Sequence, residues 1–284
     1  MSADPVSDKV VLITGGARGI GLAIAESAYQ RGASLVLVDL DPGIVDESAR
    51  TLGDRAIGIG ADVTDLEQME AAFATAVERF GRVDVVVANA GIAPGINPVN
   101  GISTADWERV LEVNLFGVWR TVRAGMDEVV KNSGQFVLVS SSYAFMNGTL
   151  NAAYASAKCG VEALGRSLRT ELRPLGASAS VAYFGWITTD MVTSAFTDPI
   201  VNRMRKLAPG FMTRQIRVEK AAEAVIDGIE RRDPRIVVPF EYRVFLYLRG
   251  ILGPLMDRRF ASDPRVAAIV RDAERLTLER LERE

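Results

Sequence analysis

Short apolar runs alternate with longer amphipathic stretches along most of the chain. The runs at 10–13, 34–38, 56–59, 83–88, 136–140, 178–183 and 236–238 are nearly unbroken by polar residues and read as strands buried on both faces. Between them, apolar residues recur at helical spacing over about 19–31, 43–52, 65–80, 104–131, 152–173 and 218–231. In the fifth of these stretches Val161, Leu164, Leu168 and Leu172 share one face, and Pro174 stops the helix. Strand, helix and strand repeated with short right-handed crossovers predict an α/β fold. It is one doubly wound parallel sheet of about seven strands with helices on both faces. Ligands in such sheets bind beyond the carboxyl ends of the strands. Gly15, Asp39, Asp62, Asn89, Ser141 and Gly185 all fall there.

The pattern changes after Phe240. Residues 242–260 are densely apolar, with Gly253-Pro254 interrupting them, and are too short and too broken by arginines to span a bilayer. Three roles compete: a lid over a substrate pocket, a subunit contact, or a peripheral membrane contact with Arg243, Arg249, Arg258 and Arg259 facing headgroups. Apolar stretches on soluble chains usually bury in protein, which favours the first two. The last stretch predicts a helix capped by Ser262 or Asp263 with Pro264 in its first turn. Val266, Ile269, Val270, Ala273 and Leu276 make its apolar face, expected to pack on the body or on a partner subunit.

Composition narrows the function by exclusion. The 284 residues are 48% hydrophobic and 24% charged with a net charge of −3, ordinary values for a soluble domain and without the basic excess that nucleic acid demands. The single cysteine, Cys159, rules out an intramolecular disulfide, suits a reducing cytosol and reads as a small buried residue. Residues 1–7 hold no apolar signal region, so a cytoplasmic protein is expected. The absence of histidine removes Ser-His-Asp hydrolysis and every histidine-containing metal site. With one cysteine and no acidic loop of suitable spacing, no metal is expected.

Chemistry concentrates in two places. In Tyr154-Ala155-Ser156-Ala157-Lys158 a phenol and an ammonium four residues apart stand on one face of a helix. A free tyrosine has a pKa of about 10, and lowering it by about three units takes roughly 4 kcal/mol. One cation at about 4 Å in a medium of effective dielectric near 20 supplies about that much. The second place is Thr14-Gly15-Gly16-Ala17-Arg18-Gly19-Ile20-Gly21, which follows the first strand and opens a helix. Glycines permit the tight turn and the helix amino terminus presents N–H groups, so Gly15, Arg18, Gly19, Ile20 and Gly21 form a pyrophosphate cradle. Asp39 ends the next strand, where an acidic residue hydrogen-bonds the adenosine ribose and repels the extra phosphate of NADP. NAD is therefore favoured, although the Arg18 guanidinium can also meet a phosphate. A cap for the helix starting at Pro42 is the other reading of Asp39.

Together with Asp62-Val63, Asn89-Ala90-Gly91, Asn114, Ser141 and Gly185-Trp186-Ile187-Thr188-Thr189, these motifs resemble the short-chain dehydrogenases/reductases of the single-domain kind. The resemblance extends over roughly residues 8–240. It implies a Rossmann dinucleotide-binding domain with the catalytic site over 1–240, and a helical extension over 241–284. It implies Tyr154 as general acid/base and Lys158 lowering its pKa and holding the nicotinamide ribose. Ser141 then binds the substrate oxygen, and Asn114 holds a water between Lys158 and solvent. Asp62 and Val63 flank the adenine, while Asn89, Ile187 and Thr189 position the cofactor. A homotetramer or homodimer is implied, with the helices at 104–131 and 152–173 in contact. The chain departs from the family pattern at Ala88-Asn89, where two asparagines are usual, and at Phe184-Gly185, where Pro-Gly is usual.

The expected pocket walls at 143–150, 184–186 and 190–215 contribute Tyr143, Phe145, Met146, Phe184, Trp186, Met191, Phe196, Met204, Phe211 and Met212. Such side chains suit a bulky apolar alcohol or ketone, of steroid, terpenoid or acyl-chain kind. The expected activity is hydride transfer between NAD(H) and that substrate. An NADP-dependent ketoreductase and a non-catalytic dinucleotide-sensing protein are the rivals.

Overall fold

Seven strands form one sheet in the computed structural model, which describes residues 4–93 and 95–281, except the side chains of Phe211, Leu278, Arg280 and Leu281. They are β1 (Val10–Thr14), β2 (Ser34–Asp39), β3 (Ala56–Gly60), β4 (Val85–Ala88), β5 (Gln135–Ser141), β6 (Ser178–Phe184) and β7 (Arg235–Val238). Their order is β3-β2-β1-β4-β5-β6-β7, and every pairing is parallel. The direction of winding reverses between β1 and β4, which opens a crevice at the carboxyl ends of those strands.

Alternate side chains of each strand feed separate cores. Val11 and Ile13 of β1, Leu35 and Leu37 of β2, and Val137 and Val139 of β5 enter one core, with α1 (Gly19–Gln30), α2 (Pro42–Leu52) and, later in the chain, α9 (Val218–Glu230). Val10 and Leu12, Val36 and Val38, and Phe136 and Leu138 enter the other, with α3 (Leu66–Phe80), α5 (Gly117–Lys131) and α6 (Ala152–Leu172). Both faces of the central strands are dry, which is why their sequences are continuous apolar runs.

The expected helix over 104–131 is two helices. α4 (Thr104–Leu111) passes through a single π turn, Glu112–Phe116, into α5. The turn takes in one residue more than an α turn would, and its residue types, Glu112 to Phe116, are ones an α-helix accepts equally. Asn114 lies inside it, and π turns are rare and concentrate at functional sites.

After β6 come α7 (Asp190–Ala195) and α8 (Pro199–Arg205), and after β7 come α10 (Tyr242–Ser262) and α11 (Pro264–Leu281). Gly253-Pro254 does not interrupt α10. The carbonyl that loses its donor to Pro254 belongs to Gly250, which is exposed and can bond water instead. Tyr242 and Leu246 of α10 pack with Val181, Tyr183 and Val237 of the sheet. Asp263 caps α11, accepting from the Arg265 amide at 2.9 Å, whereas Ser262 bonds back into α10. Val266, Ile269 and Ala273 are buried, but Leu276 is exposed and Thr277 takes the inward place. The buried stripe thus continues from Ala273 by one full turn to Thr277. Ile269 and Ala273 pack with Leu150 and Ile200, and Arg203 pairs with Asp272 at 2.6 Å.

Candidate active site

The glycine turn is built from both sides of the crevice. The Thr14 hydroxyl accepts from the amides of Asn89 and Ala90, each at 3.1 Å, joining the ends of β1 and β4. Asn89 Nδ2 donates in return to the carbonyls of Thr14 at 3.0 Å and Gly15 at 3.2 Å. Gly15 has φ +63°, and a methyl group on Gly21 would stand 2.0 Å from the Gly15 carbonyl oxygen. Neither place admits a side chain. Arg18, exposed, precedes α1 without a capping bond, and the first turn of α1 carries no acidic residue. The main-chain N–H groups of Gly19, Ile20 and Gly21 therefore edge an electropositive hollow that fits a dinucleotide pyrophosphate.

Asp39 ends β2 beside this turn. Its carboxylate accepts from the Ala17 amide at 3.1 Å and the Leu40 amide at 2.9 Å. It does not cap α2: Asp41 does, accepting from Gly43 and Ile44 at 2.9 and 3.1 Å. Asp62, past β3, accepts from the Thr64 amide at 2.9 Å, and Val63 is buried against Gly117. Beyond β6, Ile187 bridges to Ile216 and is 1% exposed, so only its main chain can face a ligand. Thr189 caps α7, and its methyl lies 3.6 Å from where a side chain on Gly19 would start. The cradle and the segment after β6 thus face one another across the crevice.

Tyr154 and Lys158 lie one turn apart on α6. The Ser140 hydroxyl donates to the Lys158 carbonyl at 2.8 Å, pinning that turn to β5. Lys158 is buried, its Nζ donating to the Val139 carbonyl at 2.9 Å and lying 5.5 Å from the centre of the Tyr154 ring. Ser141 hydrogen-bonds Tyr154. Its hydroxyl also accepts from the Tyr143 amide at 3.3 Å and donates to the Phe184 carbonyl at 3.4 Å. Asn114 is fully buried, and its side-chain amide is bonded both ways to Ile92, at 2.7 and 2.8 Å. Gly91 stands between the two sides: a methyl there would sit 2.8 Å from Asn114 Oδ1 and 3.7 Å from Lys158 Nζ.

Burial, rather than the lysine's field, dominates the proton affinities. It pushes Tyr154 up to about 12, against the Ser141 hydrogen bond, with the neighbouring Tyr143 phenol adding to the rise. The same burial pushes Lys158 down to about 8. The expected lowering of the tyrosine by Lys158 is absent from this arrangement, in which Nζ is turned to a carbonyl.

Several residues of the site carry weak sequence signals. Gly91 and Thr14 lie within motifs whose neighbours drew attention, and Tyr143 reads only as a pocket wall. Tyr143 in fact meets Tyr154 edge to face at 5.9 Å, and its own phenol is raised by burial. The Val139 carbonyl has no signal at all, since every residue carries one.

The expected wall divides. Phe184 points into the core with α1 and α9, 4% exposed, and offers the site only its carbonyl. Phe145, Met146 and Met212 pack beneath α10, and Met204 beneath α11. Trp186 and Phe196 meet at 5.0 Å with their ring planes tilted by 48°, Met191 is half-exposed, and the Phe211 side chain lies outside the described residues. Cys159 is exposed, not buried, because it falls on the outer side of α6. Partial burial and the Glu162 carboxylate push its thiol up, which leaves no thiolate nucleophile.

Three polar ties hold α10 to this region. Arg249 pairs with buried Glu162, one turn beyond Lys158, at 2.7 and 2.8 Å. Asn147 donates to Asp257 at 2.8 Å, and the Tyr242 hydroxyl donates to the Met212 carbonyl. Among the described residues no His, Cys, Asp and Glu cluster could hold a metal, and no helix is long and apolar enough to cross a membrane.

Comparison with known proteins points the same way. A family model described as short chain dehydrogenase matches residues 9–199. A cis-4-hydroxycyclohexanecarboxylate dehydrogenase of Sinomonas cyclohexanicum is 33% identical over 223 residues, 77% of this chain and 88% of the relative. A (-)-trans-carveol dehydrogenase of Rhodococcus erythropolis is 34% identical over 209 residues, 68% of this chain and 76% of the relative. The crystal structure of a 3-ketoacyl-(acyl-carrier-protein) reductase from Brucella melitensis complexed with NADH matches with a TM-score of 0.75 at 25% identity. That match covers 82% of this chain and 97% of the other.

Proposed function

The chain belongs to the short chain dehydrogenase family, and we propose that it is an NAD-preferring member acting on bulky apolar secondary alcohols or ketones. The observation that carries this reading is the placement of Tyr154 and Lys158 one turn apart on α6, their groups 5.5 Å apart, against the Ser141 end of β5 and beside the glycine cradle. The nicotinamide, when bound, supplies the carbon that gives or takes the hydride. Gly15, Arg18, Gly19, Ile20 and Gly21 hold the pyrophosphate, and Asp39 the adenosine ribose. Asp62 and Val63 flank the adenine, while Asn89, the Ile187 main chain and Thr189 set the cofactor's depth.

Proton handling falls to the chain's own residues. Ser141 and Tyr154 hold the substrate oxygen where charge develops. Tyr154, with its proton held to about 12, is a ready donor at neutral pH, so carbonyl reduction starts from the right protonation state. Alcohol oxidation needs the phenolate and should quicken as pH rises. Lys158, at about 8, exchanges the next proton. The Asn114 amide spends one donor and one acceptor on Ile92, which leaves it a second of each for a water linking Lys158 to solvent.

NAD preference rests on the Asp39 carboxylate and on Leu40, exposed and uncharged, where a phosphate-binding cation would be needed. Arg18 supports the NADP alternative. Asp39→Ala should narrow the preference for NADH over NADPH by about tenfold or more, as removal of a like-charge clash predicts. An unchanged ratio in equilibrium binding would move the assignment to NADP. Tyr143, Trp186 and Phe196 beside the site support an apolar substrate, as does a relative named for carveol, and a relative named for hydroxycyclohexanecarboxylate supports a ring. A panel of secondary alcohols of graded size, assayed with both cofactors, should favour large apolar rings. Turnover confined to short polar hydroxy acids would overturn the substrate class. Exposed Phe116 and Trp119 on the π turn and α5 support a homo-oligomer joined there.

A further inference from the structure

The outer face of α10 is an apolar stripe. Val244, Tyr247, Leu248, Ile251 and Leu255 recur at helical spacing and are exposed, with Ile251 at 67%, and Phe240 extends the stripe at 68%. Their combined exposed area is on the order of 700 Å², above the largest apolar patch of a typical monomer. The inner face of the same helix is accounted for by Tyr242 and Leu246 in the core, with Phe245 and Met256 packed against it.

Charge decides what fits the outer face. α10 carries four arginines and one carboxylate, on a chain whose net charge is −3. Arg249 is turned inward to Glu162, and Asp257 is tied to Asn147. Arg243 borders the stripe at one end, beside the exposed Glu241, and Arg258 and Arg259 border it at the other. None of these three closes a salt bridge among the described residues. A second copy packed across a two-fold axis would set α10 against itself, and whether parallel or antiparallel the arginines at its ends then meet arginines of the other chain, like charge upon like. An anionic surface meets the same arginines favourably and takes the apolar side chains between its headgroups.

We propose that the outer face of α10 is a docking surface for an anionic lipid bilayer, on which the helix lies flat. No helix of the described residues can cross a membrane, so the attachment is peripheral. The surface is independent of the catalytic reading.

The full chain should sediment with vesicles of phosphatidylcholine mixed with phosphatidylglycerol at low salt. Binding to phosphatidylcholine alone should be at least tenfold weaker, and high salt should release the protein. Val244→Glu with Ile251→Glu and Leu255→Glu should lower vesicle binding at least tenfold, with dinucleotide affinity and circular dichroism unchanged. Arg258→Glu with Arg259→Glu, a milder change, should remove the preference for anionic vesicles. Absence of vesicle binding by the wild type, or equal binding by both variants, would overturn the proposal. So would light scattering in which the triple variant falls from oligomer to monomer while the wild type ignores vesicles, since a second copy then owns the stripe.

Discussion

The glycine turn after β1 and the helix pair after β7 flank the same site but are specified differently. In the turn, single positions admit single residue types: Gly15 because φ is +63°, Gly21 because a carbonyl stands 2.0 Å from where its side chain would begin. In the helix pair, the same residue types do different work according to the face they occupy. Leu246 is core while Leu248, two positions on, is surface. Backbone-dictated chemistry is written one residue at a time; packing roles are written only in the phase of a helix against its neighbours.

Substitutions at the site should have the larger effects. Lys158→Met should lower turnover by several orders of magnitude while stabilising the protein by about 1–3 kcal/mol at pH 7, because a buried ammonium is removed. The sign follows from its pKa of about 8 against an ordinary 10.5. Between those values the unfolded chain holds the proton and the folded one does not, so wild-type stability rises with pH relative to the variant. The variant's advantage should be full below pH 8 and fade toward 10.5, as measured by denaturant unfolding across that range. A constant advantage would mean that the lysine is not desolvated.

Gly91→Ala comes next. Its methyl would stand 2.8 Å from Asn114 Oδ1, so the Ile92–Asn114 clamp and the Lys158 environment must shift. A misplacement of this size costs about 10²-fold in kcat, and dinucleotide affinity should change little. Equal loss of both would place Gly91 in the cradle rather than in the proton path.

The smallest effect tests the tail. Arg249→Met leaves Glu162, only 5% exposed, with just the longer Arg166 contact at 3.9 Å. The cost should be about 2 kcal/mol, below that of a fully buried pair because Arg249 is itself partly exposed. Glu162 follows Lys158 by one turn of α6, so kcat should also fall by about threefold, a figure of the size that sub-ångström misplacement gives. Adding Glu162→Leu should recover the stability, and recovery of kcat with it would mark the pair as a strut for α6. Loss of stability with kcat untouched would confine the tail to a structural role.

Much of this was legible in the sequence. The seven strands and the single parallel sheet follow from the repeated apolar runs, whose predicted ends lie within about two residues of those observed. The residues gathered at the crevice are those the motifs name. What escaped did so for identifiable reasons. The π turn at Asn114 is made of residue types that an α-helix accepts equally. Phe184 was expected to line the pocket, yet strand parity sends it with Ala182 to the α1 side, while Val181 and Tyr183 face α10. Leu276 yields its buried place to Thr277 because the stripe repeats by turns, not by hydrophobicity. Proton affinities depend on burial and on the Val139 carbonyl, which composition and spacing do not encode.

On the proposed mechanism Tyr154 moves the proton while hydride passes between substrate and nicotinamide. The most direct test offers a bulky cyclic secondary alcohol deuterated at its carbinol carbon, with NAD, to the wild type and to Tyr154→Phe, and recovers the reduced cofactor. The wild type should deliver deuterium to the nicotinamide. The variant should bind the dinucleotide as well yet transfer at least about 10²-fold more slowly, the loss expected on removing a general acid/base. Transfer by the variant at near the wild-type rate would contradict the claim, as would no transfer by the wild type from any alcohol of the panel with either cofactor.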